Sequence, residues 1–279
     1  MTTPPDPDHA PLFHVVAPVP LTPVERLLAL ADLYTQHNDR IDLLFSGHAH
    51  PAPDAYMSSA HRLEREALAC IKDVRQQHLP AIEPVAGAVV RLKQTAYLTS
   101  GATRYLTAAQ QALPSQDAED ARPDPHRGFG QYIRLARELT ALAPLAIVES
   151  ASHIAHRLSA RARNSSTVTG LDAAQHNALL EVARGHITVA EQHGHRVHGH
   201  TTTVTAEVLR HLEAQDLVTR QPASTPPHFP GGVPRDRVRL TALGISTLSA
   251  VIDAPLHVSL PARCPSPVPA AANATRAHR

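Results

Sequence analysis

The chain has no tryptophan, five tyrosines and four phenylalanines in 279 residues. With so few rings, any core must be packed from small aliphatic side chains, which suits close helix–helix contact. Two cysteines, Cys70 and Cys264, stand far apart in unlike contexts. That pattern excludes a disulfide framework and a zinc-finger spacing, and it fits a reducing, cytoplasmic setting. No run approaches eighteen apolar residues, and the opening Met1-Thr2-Thr3-Pro4-Pro5-Asp6 has neither a basic region nor an apolar core, so neither a membrane span nor an export signal is expected. Lysine is nearly missing, two against 24 arginines, while alanine, proline and histidine are plentiful. This bias reads as a GC-rich genome, so a histidine or arginine needs positional support before it is given a role. A formal net charge of +1 argues against indiscriminate binding to nucleic acid.

Enzyme signatures are missing as well. The sequence contains no G-x-x-x-x-G-K, G-x-G-x-x-G, H-E-x-x-H or G-x-S-x-G. Gly128-Phe129-Gly130 reads as a helix start rather than a phosphate loop, and the carboxylates are scattered over helical faces. The expectation is a protein without catalytic activity and without a cofactor.

What is present is helical periodicity. Residues 1–21 hold six prolines and no periodic pattern, and read as a disordered tail. Thr22-Pro23-Val24-Glu25 combines an N-cap, proline at the first helical position and glutamate at the third, which predicts a sharp helix start. That helix runs to Gly47. A second is expected from Ser58 or Ser59 to Pro80, a third over about 81–113, and a fourth over about 130–163 with a kink at Pro144. Long amphipathic helices joined by short breaks, with no sustained heptad, predict an antiparallel bundle over 22–163 that mediates self-association. Residues 164–170 read as a linker, and residues 254–279 as a second disordered tail.

The last third changes character. Asp172 opens an apolar run through Leu179 and Val182 that Gly185 stops, and a short strand follows at Ile187-Thr188-Val189. The segment up to Thr201 is rich in histidine and glycine and reads as a strand hairpin. Thr201 to Thr205 then leads into a helix with Val204, Val208, Leu209 and Leu212 on its buried stripe. Two alternating strands, 217–219 and 237–240, flank a Pro/Gly-rich excursion, and a closing helix runs through Val251.

Leu212-Glu213, Leu217-Val218 and Leu240-Thr241-Ala242-Leu243-Gly244 carry a resemblance to a known family. The region resembles the MarR-like winged helix-turn-helix regulators, in which a recognition helix ends in LExxxLV, a β-wing follows, and LTxxG begins a return helix. The resemblance covers about eighty residues and departs at one place, where a hairpin takes the position of the family's second helix. It implies an α+β winged-helix domain over 171–253, which with the N-terminal antiparallel helical bundle predicted from periodicity makes a mostly α protein. The implied function is that of a bacterial DNA-binding protein, a transcriptional regulator or a mobile-element maintenance factor, which binds double-stranded DNA through a recognition helix and a basic β-wing, while the N-terminal helices are expected to hold it as a homodimer.

Particular residues follow from this reading. Opposite the buried stripe of the proposed recognition helix lie Thr202, Thr203, Ala206, Glu207 and Arg210, able to meet base edges or phosphates. Arg235, Arg237 and Arg239 alternate, so they share one face of a strand and, with Arg220, are the expected phosphate contacts of the wing. The region is not basic as a whole, with seven arginines against eight acids over 171–253, so tight binding needs either a second copy or specific base contacts. Two alternatives stand beside DNA binding. One is a winged-helix protein-interaction module. The other is a metal-responsive regulator using His193, His195, His198 and His200, whose imidazoles suit zinc, copper or nickel although no cysteine or well-spaced carboxylate completes a first shell.

Overall fold

The computed structural model describes residues 21–47, 53–79, 83–112, 125–161, 170–192, 195–199, 204–229 and 231–252. It is mostly helical with a small antiparallel sheet. The elements are α1 Pro23–Phe45, α2 Pro53–Gln76, α3 Val85–Gln111, α4 Pro125–Thr140, α5 Ala143–Arg161, α6 Ala173–Ala183, β1 Thr188–Gln192, β2 His195–Gly199, α7 Ala206–Ala214, β3 Val218–Thr225, β4 Arg235–Leu240 and α8 Ala242–Val251.

The start of α1 is as its sequence dictates. Thr22 accepts from the Glu25 amide at 3.2 Å while Glu25 accepts from the Thr22 amide at 2.8 Å, which closes a capping box. The same reciprocal pair, Asp172 with Gln175, starts α6. Gly185 ends that segment at φ +74°, in the left-handed region where a Cβ is costly. The helix expected from about 130 to 163 is instead two helices. Pro144 does not kink a continuous rod; it occupies the first turn of α5, where its missing N–H leaves no hydrogen bond unmade. The second helix also begins earlier than expected, at Pro53.

Side-chain contacts give the helix directions. Arg26 reaches Asp73 and Glu66 while His37 meets Ser59, so α1 and α2 are antiparallel. Gln110 donates to Asp54 at 2.6 Å and Thr107 meets Met57, so α3 reverses again. Tyr105 stacks on Tyr132, with ring centroids 6.3 Å apart, and Gly101 lies against Leu139, so α4 runs back along α3. The sheet has the order β2-β1-β4-β3, with antiparallel pairing throughout. The expected hairpin between Gly185 and Thr201 is present as β1 and β2, with Thr188 opposite Gly199 and Gln192 opposite His195.

One hydrophobic cluster runs through both halves of the chain. It takes Leu27, Leu28 and Ala31 from α1, Ile147 and Ile154 from α5, Leu179 from α6, Leu212 from α7, Val238 from β4 and Leu248 from α8. A second cluster at the far end of the helices gathers Ile41, Tyr56, Leu106, Phe129 and Ile133. The sheet region is thus seated on α1 rather than tethered to the helices by residues 164–170 alone.

The helical interior is polar in places. Thr95, Thr99, Thr103 and Thr107 each donate to the carbonyl four residues back, at 2.7–3.0 Å, which satisfies their hydroxyls within α3. His37 is fully buried, with Nδ1 3.0 Å from Ser59 Oγ and no partner for Nε2 among the described residues. Burial first, then the cations Arg137 and Arg40, push its imidazole down to about 4. The unfolded chain takes up that proton near pH 6.5, so stability is lost as pH falls from about 6.5 to 4, by about 3 kcal/mol in full. Urea unfolding of wild type and His37→Gln at neutral and mildly acid pH checks this. The variant should lose less stability on acidification, and equal losses would remove His37 from the account.

Candidate nucleic-acid interface

The α7 helix begins at Thr205, whose hydroxyl accepts from the Val208 amide at 3.3 Å. Leu209 and Leu212 are buried, and Val204 and Val208 pack against the same core. This leaves Ala206, Glu207 and Arg210 exposed on the opposite side, as the apolar spacing predicts. The helix C-terminus is closed by Asp216 at φ +56°, after which Leu217 donates to the Leu212 carbonyl at 3.0 Å. Thr202 and Thr203 lie outside the described residues. The strand register of His195 and His198 is described, but the side chains of His193, His195, His198 and His200 are outside what the structure describes.

The four arginines expected to hold phosphate are placed otherwise. Val238 and Leu240 turn into the core, so Arg235, Arg237 and Arg239 do share the other face of β4. That face is covered by α1. Arg237 grips Asp39 with two hydrogen bonds, Nε to Oδ2 at 2.8 Å and Nη2 to Oδ1 at 2.5 Å, and its third donor reaches the Gly185 carbonyl. Arg239 makes the same two-pronged contact with Asp32 and donates to Gln221 at 2.9 Å. Arg235 donates to the Pro226 carbonyl and to Thr188 Oγ1, each at 2.9 Å, and so pins the base of the β3–β4 loop. Arg220 is chelated by Glu213 at the end of α7. Burial counts here, because the Arg237 side chain is 12 % exposed and that of Asp39 is 8 %. Burial pushes the Asp39 carboxyl up and the Arg237 guanidinium pulls it back, a balance that leaves it above the ordinary carboxylate value.

Reading the sequence for cations alone missed their partners. Asp32, Gln36 and Asp39 stand at four- and three-residue spacing on α1, a polar stripe on a helix whose other positions are largely apolar. Gln36 donates to Asp32 at 3.0 Å and extends that stripe. A polar stripe on a buried helix is a signal that a charged surface will dock there, but it does not say which one.

Between α1 and the sheet a cleft of about 370 Å³ is lined by Asp39, Asp42, His186, Thr188, Arg235 and Arg237. Asp42 is itself held by Arg137 through two bonds of 2.9 Å, so both carboxylates of the cleft are already engaged by guanidinium groups. That is a structural seam rather than an acid–base pair. Cys70 is buried and its thiol is pushed up to about 12, chiefly by burial, which keeps it protonated and unreactive. Among the described residues no group of three or more histidine, cysteine or carboxylate side chains could hold a metal ion, and no helix is long and apolar enough to cross a membrane.

The loop joining β3 to β4 is uncharged from Pro226 to Pro234. Phe229 is 54 % exposed and Val233 81 % exposed. A Cβ on Gly232 would lie 3.0 Å from Pro227 and 3.1 Å from the Phe229 ring, so the turn is close-packed on itself there. The loop thus presents Phe229 and Val233 to solvent and carries no arginine or lysine. No family model matches the chain, and neither a curated protein nor a solved structure matches it.

Proposed function

We propose that the protein binds double-stranded DNA through α7, in a winged helix-turn-helix arrangement of MarR-like type, as a bacterial transcriptional regulator or mobile-element maintenance factor. The observation that supports this reading is the exposed face of α7, with Ala206, Glu207 and Arg210 standing on a capped helix in front of the antiparallel strands β1, β4 and β3. Ala206 suits a thymine methyl, Glu207 a cytosine amino group, and Arg210 a guanine edge or a phosphate. With the β4 arginines and Arg220 engaged inside the protein, sequence-independent attraction is weak, so binding depends on base contacts and on a second copy.

Competition titrations on selected and random duplexes at several salt concentrations test this. Arg210→Ala is expected to lower discrimination between sites by about tenfold, the loss of one good base contact. Arg237→Ala should leave the salt slope unchanged, because its guanidinium already serves Asp39. Absence of binding to any duplex refutes the reading. A second reading, a winged-helix module that contacts another protein, is favoured by the uncharged wing tip with Phe229 and Val233 exposed. It is the reading to adopt if no duplex is bound.

A further inference from the structure

Free cations are unevenly distributed over this chain. Arg26, Arg137, Arg237 and Arg239 each hold a carboxylate. On the outer side of the α2–α3 pair, Arg62, Arg65, Lys72 and Arg75 of α2 and Lys93 and Arg104 of α3 are all exposed, and none has a hydrogen bond or ion pair among the described residues. At the helical period the four cations of α2 fall within one arc of about 140°, on the side away from the buried Leu63, Ala67 and Val74. Since Asp54 is level with Gln110 and Met57 with Thr107, the antiparallel α3 brings Lys93 nearly level with Lys72 and Arg104 nearly level with Arg62.

Little on this face neutralises them. Of the four acids of α2, Glu66 and Asp73 are taken by Arg26 on the α1 side and Asp54 accepts from Gln110, which leaves the half-buried Glu64. The α3 helix carries no acid. At the α1 edge, Arg62 and the exposed Arg40 line a cleft of about 230 Å³ together with Gln36 and Ser58, a concave seat between two cations.

A polyanion is the partner whose charge fits this face, and one side chain narrows its kind. Tyr97 stands between Lys93 and Arg104 on the same side of α3, 77 % exposed, and its ring stacks on nothing among the described residues. Cations in rows for phosphates, with a bare aromatic face for an unstacked base, are the two parts of a single-strand site. A duplex keeps its base faces stacked inside and has no use for the tyrosine. An anionic bilayer fits less well, because the apolar side of α2 is already buried in the protein core and its outer arc offers only Leu68 among the cations.

We propose that the outer face of α2 and α3 binds single-stranded nucleic acid, with the six cations along its phosphates and Tyr97 stacked on a base. This goes beyond the duplex reading of α7 and stands independently of it. Fluorescence anisotropy of a labelled oligo-dT of about 20 nucleotides, titrated with the full chain at several salt concentrations, tests it. The probe should bind with a Kd of about 10 μM or below at low salt, and log K should fall with log salt at a slope of about −4 if all six cations meet phosphates. Tyr97→Ala should weaken binding by about tenfold with the slope unchanged, while Tyr97→Phe retains it. Arg65→Gln and Lys72→Gln should each make the slope shallower by about 0.7. Arg210→Ala on α7 should alter neither quantity, and a duplex of equal length should displace the probe about tenfold less effectively. Absence of oligo-dT binding, its loss in Arg210→Ala, a Tyr97→Ala variant that binds as wild type, equal displacement by duplex, or binding to phosphatidylserine vesicles in place of the oligonucleotide overturns the inference.

Discussion

Arg237→Ala is expected to destabilise the protein by about 3–5 kcal/mol, because it leaves the Asp39 carboxylate buried and unpaired. The loss has little to do with the net worth of the ion pair, since replacing both members by apolar groups of similar volume costs far less than removing one. Arg237→Leu with Asp39→Leu should accordingly recover most of the stability. The deficit of the single variant should also depend on pH. Burial already holds the Asp39 carboxyl above its ordinary value, and without Arg237 it rises further. A folded-state value above the unfolded one means that the folded protein takes the proton first, so the deficit is full above that raised value and shrinks as pH falls from it towards the unfolded value of about 4. Urea midpoints of the single and double variants at about pH 7 and about pH 5 measure both effects. A deficit below about 1 kcal/mol, joined to a smaller salt slope for DNA, would instead return Arg237 to the role of a phosphate contact.

Gly244→Ala should be nearly as damaging. In an ordinary helix this change is favourable by about 1 kcal/mol. Here α8 crosses the backbone of Leu217 so closely that a Cβ on Gly244 would lie 1.9 Å from the Leu217 carbonyl oxygen and 2.9 Å from its carbon. No rotamer relieves a clash with backbone. The crossing is also tied down, since the Thr241 amide donates to the Leu217 carbonyl at 3.1 Å and the Thr241 hydroxyl to the Asp216 carbonyl at 2.5 Å. The same hydroxyl caps α8 by accepting from the Gly244 amide at 3.0 Å. The expected loss is about 3 kcal/mol, the upper range for overpacking a tight site. Gly130→Ala in α4 is the control, because a Cβ there meets nothing within 4 Å and should stabilise slightly. Equal thermal midpoints for Gly244→Ala and wild type would show that α8 can lift off Leu217.

Features that depend on a few neighbouring residues are legible in the sequence. The capping box at Thr22, the helix start at Asp172, the turn at Gly185, the hairpin before Thr201 and the alternation along β4 are all local, and all stand where their residue types require. Thr241 and Gly244 were legible as a pattern, while their reason, the contact with Leu217, was not. The helix boundaries at Pro53 and Pro144 were misplaced because proline fits the first turn of a helix as well as it interrupts one.

By itself the sequence determined where α1 and α6 begin, which side of α7 and of β4 faces inward, and that the chain is mostly helical with a small antiparallel sheet. It also placed Arg235, Arg237 and Arg239 together on one strand face. Only the tertiary structure decided what that face meets. Asp32 and Asp39 lie about two hundred residues away in sequence from their arginines, and periodicity within either segment is silent about a partner at that separation. An exposed arginine and one buried against a carboxylate have the same spacing and the same propensity. What separates them is the docking of α1 on the sheet, which removes both charges from water and turns a cationic strand into a structural joint.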